Sequence, residues 1–126
     1  MPLQFGEQRP GLGQLTGASG LLHLRGEKYR KVAESTDPVT RALIENYRIW
    51  KKAKPGEKID ASSTLFDTVA VYLAFSTELV NMERCPLVVT DKGFTAIDPS
   101  GKPIDCALSW KDLGAFEDLL VERLTK

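Results

Sequence analysis

The sequence predicts an α+β fold, helices joined to a small antiparallel three-stranded meander, and three observations carry that prediction. Apolar residues recur at helical spacing in two stretches: Val39, Ala42, Leu43, Tyr47 and Trp50 in one, Leu113, Phe116, Leu120 and Leu124 in the other. Two runs rich in Val, Ile, Thr and Phe, Cys85 to Thr90 and Phe94 to Asp98, flank Asp91-Lys92-Gly93, a hairpin signal with glycine at the tip. Ile104, Cys106, Leu108 and Trp110 then alternate as the inward residues of a third strand.

Taken in order, residues 1–20 are rich in Gly, Gln and Pro without hydrophobic period and read as an irregular lead-in to a body spanning residues 21–126. Gly11, Gly13, Gly17 and Gly20 miss the dinucleotide spacing, because Thr16 stands where the third glycine belongs. A short charged helix is expected from Arg25 to Glu34. Ser35-Thr36-Asp37-Pro38 then supplies a cap followed by proline at the first helical position, and Lys54-Pro55-Gly56 stops that second helix. Asp60 to Thr64 offers further caps before Leu65 to Phe75, which is apolar nearly all round and is expected to be a central helix buried on most faces. Asp98 to Lys102 is a second strand turn. The closing helix, capped by Ser109 or Asp112, is expected to pack on the strands.

Composition narrows the function classes. The 126 residues make one domain's worth of chain, and 17 basic side chains balance 17 acidic ones, so neither a basic surplus nor a basic stripe points to nucleic acid, and no nucleic-acid partner is expected. The longest apolar run, Val69 to Phe75, is far short of the roughly 20 residues of a membrane span. No basic-then-apolar leader is present in the first 20 residues, which makes the cytoplasm the expected location. Cys85 and Cys106 lack metal-type spacing and read as free thiols. The single histidine, His23, excludes His-rich metal sites and, within Leu21-Leu22-His23-Leu24, reads as a residue beside the core rather than a base. Asp91, Asp98 and Asp105 sit where turn and strand-face chemistry accounts for them without a metal.

Three residues remain as candidates. Tyr47 and Trp50 serve either as core residues or as the aromatic wall of a substrate pocket. Asp67, between Phe66 and Thr68 in the apolar run, is costly there unless it caps a helix beginning at Thr68, meets a cation or binds a metal.

The stretch Ser62-Ser63-Thr64-Leu65-Phe66-Asp67-Thr68-Val69-Ala70-Val71-Tyr72, the β segment with its Gly-bearing turn, and Phe116 to Leu124 (FEDLLVERL) together resemble the C-terminal third of the inosine-uridine-preferring nucleoside hydrolases. The order of elements is similar over most of residues 15 to 125. The resemblance implies part of an α/β nucleoside hydrolase fold, hydrolysis of the N-glycosidic bond of a ribonucleoside or related ribosyl substrate, and a calcium ion that holds the sugar diol, with Asp67 as one of its ligands. The family's Asp-x-Asp-x-x-x-Asp-Asp motif has no counterpart here, and Phe66 stands where many members carry a histidine acid. The expectation is therefore a C-terminal portion that is inactive alone, with no identified catalytic residue. Self-association or an N-terminal partner is expected to cover its apolar surface. The alternative is a small α+β interaction module or a non-catalytic relative.

Overall fold

A computed structural model describes residues 13–14 and 22–126, which form an α+β structure of four helices and an antiparallel sheet. The rest of the predicted lead-in lies outside the described residues. The elements are β1 (Gly13–Gln14), α1 (Gly26–Ala33), α2 (Pro38–Trp50), α3 (Phe66–Leu73), β2 (Val80–Val89), β3 (Thr95–Ile97), β4 (Lys102–Trp110) and α4 (Leu113–Leu124). They divide into two compact units: a helical one of residues 23–63 and 114–126, and a sheet unit of residues 13–14, 22 and 64–113.

In the helical unit α2 begins as its cap chemistry dictates. The Asp37 carboxylate accepts from the Thr40 amide at 2.9 Å, and Pro38 occupies the first helical position, where its missing N–H costs nothing. The entry to α1 is tied by the backbone: Gly26, at φ 54°, donates to the Asp60 carbonyl at 3.1 Å, and Arg25 bridges Ala61. Leu24, Tyr29, Val32, Thr40, Phe116 and Val121 are the buried side chains. Thr40 is polar but satisfied, donating its hydroxyl to the Leu124 carbonyl. Lys28 joins α1 to α4, reaching Glu117 and Asp118 at 2.9 Å each and the Gly114 carbonyl at 3.2 Å. These bonds raise the Lys28 ammonium above its ordinary range, the hydrogen bond to Asp118 contributing most and that to Glu117 next. The closing helix expected to pack on the strands thus makes its described polar ties to α1 and α2.

The α2 stripe faces largely outward, against the core reading of Trp50. Val39 is 78% and Trp50 70% exposed, Leu43 is also exposed, and Thr40 is the residue α2 buries. Helical period identifies an apolar face without saying which way it turns. The bonds of Asp37, Thr40 and Tyr47 set that direction.

In the sheet unit α3 is likewise half-packed. It buries Val69 and Tyr72, one turn apart, while Phe66, Val71 and Phe75 are exposed, so the expected burial on most faces is not found. The Tyr72 hydroxyl accepts from the Leu79 amide at 3.2 Å and pairs with Ser76, pinning the turn into β2.

The three predicted strands exist and are antiparallel, but their order is not a meander. The sheet runs β1-β3-β2-β4: β4 pairs with β2, from Leu87↔Lys102 to Val80↔Trp110, and β3 lies on the other side of β2. Gly93, at φ 79°, turns the hairpin as its residue type predicts. The chain then crosses β2 between Ile97 and Lys102. Gly101 makes the crossing possible, because a Cβ there would lie 2.5 Å from the Leu87 backbone. Pro86 faces Pro103 at the same place, so neither strand has an N–H to give, and the Pro86 carbonyl accepts from Asp98 instead at 3.0 Å. Cys85 and Cys106 are buried with Leu87, Ile97 and Leu108 packed around them.

Candidate functional site

Of the three predicted site residues, two come together. Tyr47 and Trp50 stack with ring centroids 5.8 Å apart and planes 22° from parallel, the offset geometry aromatic rings prefer. Tyr47 is the fixed member: its hydroxyl donates to the Ala61 carbonyl at 3.2 Å, and its ring makes a T-shaped contact with Tyr29, centroids 6.4 Å apart. Trp50 carries most of its surface into solvent. The pair is therefore an outward aromatic platform on a fixed support rather than a core contact.

Asp67 belongs to the sheet unit. It is the second residue of α3, exposed, in the first turn. The helix starts at Phe66 with Leu65 as its cap residue and no side-chain cap bond, so Asp67 is not the cap expected for a helix beginning at Thr68. A first-turn carboxylate instead complements the positive end of the helix dipole. Exposure also removes the desolvation cost that the apolar neighbours suggested.

Calcium takes six to eight oxygen ligands, several of them carboxylates. Among the described residues no three His, Cys, Asp or Glu side chains are grouped to hold an ion, so Asp67 on its own does not fit a calcium centre. Asp98 and Asp105 already have partners. Asp98 accepts from the Ser100 amide at 2.8 Å and hydroxyl at 2.6 Å, which holds its carboxyl below the usual range, the hydroxyl contributing most. Asp105 pairs with Arg84 at 3.1 Å. Burial pushes the Cys106 thiol up, and the adjoining Cys85 adds to this, so Cys106 is a poor nucleophile near neutral pH.

The helical unit also has an open groove of about 450 Å³ along α2, lined by Ala33, Pro38, Arg41, Ala42, Ile44, Glu45 and Arg48. At the end of α2 the chain closes in a Schellman turn: Ala53 N–H bonds to the Arg48 carbonyl at 3.0 Å and Lys52 N–H to that of Ile49 at 3.0 Å. The left-handed position of that turn, normally glycine, is Lys52 at φ 55°. Lys54-Pro55-Gly56 is the stop that the sequence advertises, and Lys52 goes unseen beside it, since nothing in a lysine announces positive φ.

No helix of the described residues is long and apolar enough to cross a membrane. Compared with known proteins, the chain matches no family model, no curated protein and no solved structure.

Proposed function

We propose that the chain is the C-terminal portion of a nucleoside-hydrolase-like protein of the cytoplasm, contributing one metal-type carboxylate and an aromatic substrate platform to hydrolysis of a ribonucleoside or related ribosyl compound. The observation that carries this is Asp67. Its carboxylate stands exposed in the first turn of an otherwise apolar helix and is not used as the cap, which leaves it available to a centre completed by other acids. The calcium ligands and the catalytic base are expected from an acidic motif of the kind absent here, so the 126-residue chain by itself should bind calcium weakly and release no reducing sugar from inosine or uridine. Co-expression with a polypeptide bearing that motif, followed by the same assay, tests the assignment. Turnover abolished by Asp67→Asn supports it, and a folded complex without turnover overturns it.

The second reading, a small interaction module, has its own support in the exposed apolar residues of α2 and α3. Light scattering at high concentration and binding of a hydrophobic dye address it. A clean monomer that binds no dye counts against both a docking face and a face awaiting further polypeptide.

A further inference from the structure

The chain-wide balance of 17 cations and 17 acids hides a local surplus. Residues 47–58 hold Arg48, Lys51, Lys52, Lys54 and Lys58 against a single acid, Glu57. That acid is committed, its carboxylate accepting from the Lys54 amide at 2.8 Å. Arg48 braces the segment by donating to the Lys54 carbonyl at 3.2 Å, and Lys51, Lys52, Lys54 and Lys58 are all exposed. These lysines therefore follow directly on the end of α2, the turn of helix that carries the Tyr47–Trp50 platform.

Lysines near a helix C-terminus relieve the negative end of the dipole, which accounts for one or two of them. It does not account for Lys52. A side chain in the left-handed region is disfavoured relative to glycine, and a charged residue held there against that preference points to a use for the charge. A flat aromatic surface takes a nucleobase by stacking, and ammonium groups take phosphate oxygens.

We infer that the end of α2 binds a phosphorylated nucleoside, with the base on Trp50 and the phosphate on Lys51, Lys52 and Lys54. This rests on the assignment of Tyr47 and Trp50 to substrate and adds a phosphate to the substrate class. Free mononucleotide and single-stranded nucleic acid share this chemistry.

The test titrates the 126-residue chain with inosine, inosine 5′-monophosphate and a ten-nucleotide single strand, following tryptophan fluorescence. Trp50→Phe separates the Trp50 signal from that of Trp110. The monophosphate is expected to quench Trp50 and to bind well over fivefold more tightly than inosine, since one exposed charge contact is worth up to about fivefold and three are engaged. Lys52→Gly is the informative variant, because it relaxes the backbone while removing the charge. It should lose about fivefold in affinity for the monophosphate with no loss of fold, so weaker binding cannot be blamed on unfolding. A ten-nucleotide strand that binds far more tightly than the monophosphate identifies nucleic acid as the source, and equal affinity identifies the mononucleotide. Equal affinity for inosine and its monophosphate overturns the phosphate assignment and leaves the ribosyl platform intact. No quenching by any of the three overturns the inference, while the Asp67 assay tests the hydrolase assignment independently.

Discussion

The helical unit and the sheet unit are held together by different means. In the helical unit, side chains bridge elements distant in sequence: Lys28 to α4, Thr40 to Leu124, Tyr47 to Ala61, and Ser62, whose hydroxyl accepts from Leu24 N–H at 3.0 Å. Its buried side chains include Tyr29 and Phe116. The sheet unit buries Tyr72 with smaller side chains, among them Val69, Val80, Cys85, Ala96 and Cys106, and takes its form from the backbone through the β2–β4 ladder, the Pro86–Pro103 pairing and the Gly101 crossing. Deleting side-chain volume should damage the first unit most. Adding a single carbon at the right backbone position should damage the second.

The largest expected effect follows from volume. Phe116→Ala removes a ring that is almost fully buried and should cost about 3–5 kcal/mol, read by chemical denaturation together with loss of amide-exchange protection in α1 and α4. Next comes the backbone. Gly101→Ala places a methyl group against atoms of Leu87 that cannot rotate away, and should cost about 1–3 kcal/mol. Its exchange signature should fall on β2 and β4. Protection lost equally in both units by either variant would break the contrast.

A smaller effect of opposite sign belongs to Lys52→Gly, which relieves the left-handed strain and should stabilise the helical unit by about 1 kcal/mol in thermal unfolding. The smallest is a pH effect. Because the Lys28 pKa is raised in the folded chain, its contribution is fully present below the ordinary lysine range and is lost as pH climbs through the raised value. About a third of the side chain is exposed, so solvent screening keeps the effect below about 1 kcal/mol. Lys28→Met should flatten the alkaline limb of the stability profile by that amount and leave the neutral plateau otherwise unchanged in shape.

What could be read from residue order alone was the local chemistry. The Asp37-Pro38 cap, the glycine of the Asp91-Lys92-Gly93 turn and the serine-supported turn at Asp98 all form as their residues dictate, because each is decided within four or five positions. Strand order was not legible. Alternation in Ile104 to Trp110 describes a pleated strand equally well beside β3 or beside β2, and the facing prolines 86 and 103 acquire meaning only once the pairing is known. The direction of the α2 stripe was hidden for a similar reason, since Thr40, a polar residue, proved to be the buried one. For the site, the proximity of Tyr47 and Trp50 followed from their three-residue spacing on one helix. Asp67 stood out as an acid in an apolar run, yet its exposure depended on α3 packing along a single line, which no periodicity within eight residues reveals.

The crossing at Gly101 also bears on the order in which the sheet unit assembles. Pairing of Leu87 with Ile97 closes a short stretch of chain, whereas pairing of Val80 with Trp110 closes one about three times as long, so the entropic cost of closure favours the short hairpin as the earlier event. The return strand then settles along the opposite side of β2, starting from the crossing and ending where Lys111 N–H bonds to the Leu79 carbonyl at 2.8 Å. Refolding monitored by pulsed exchange should accordingly show the amides of residues 87–97 protected before those of 104–111. Gly101 thus acts as a timing point, joining a fast local step to a slower one that depends on it.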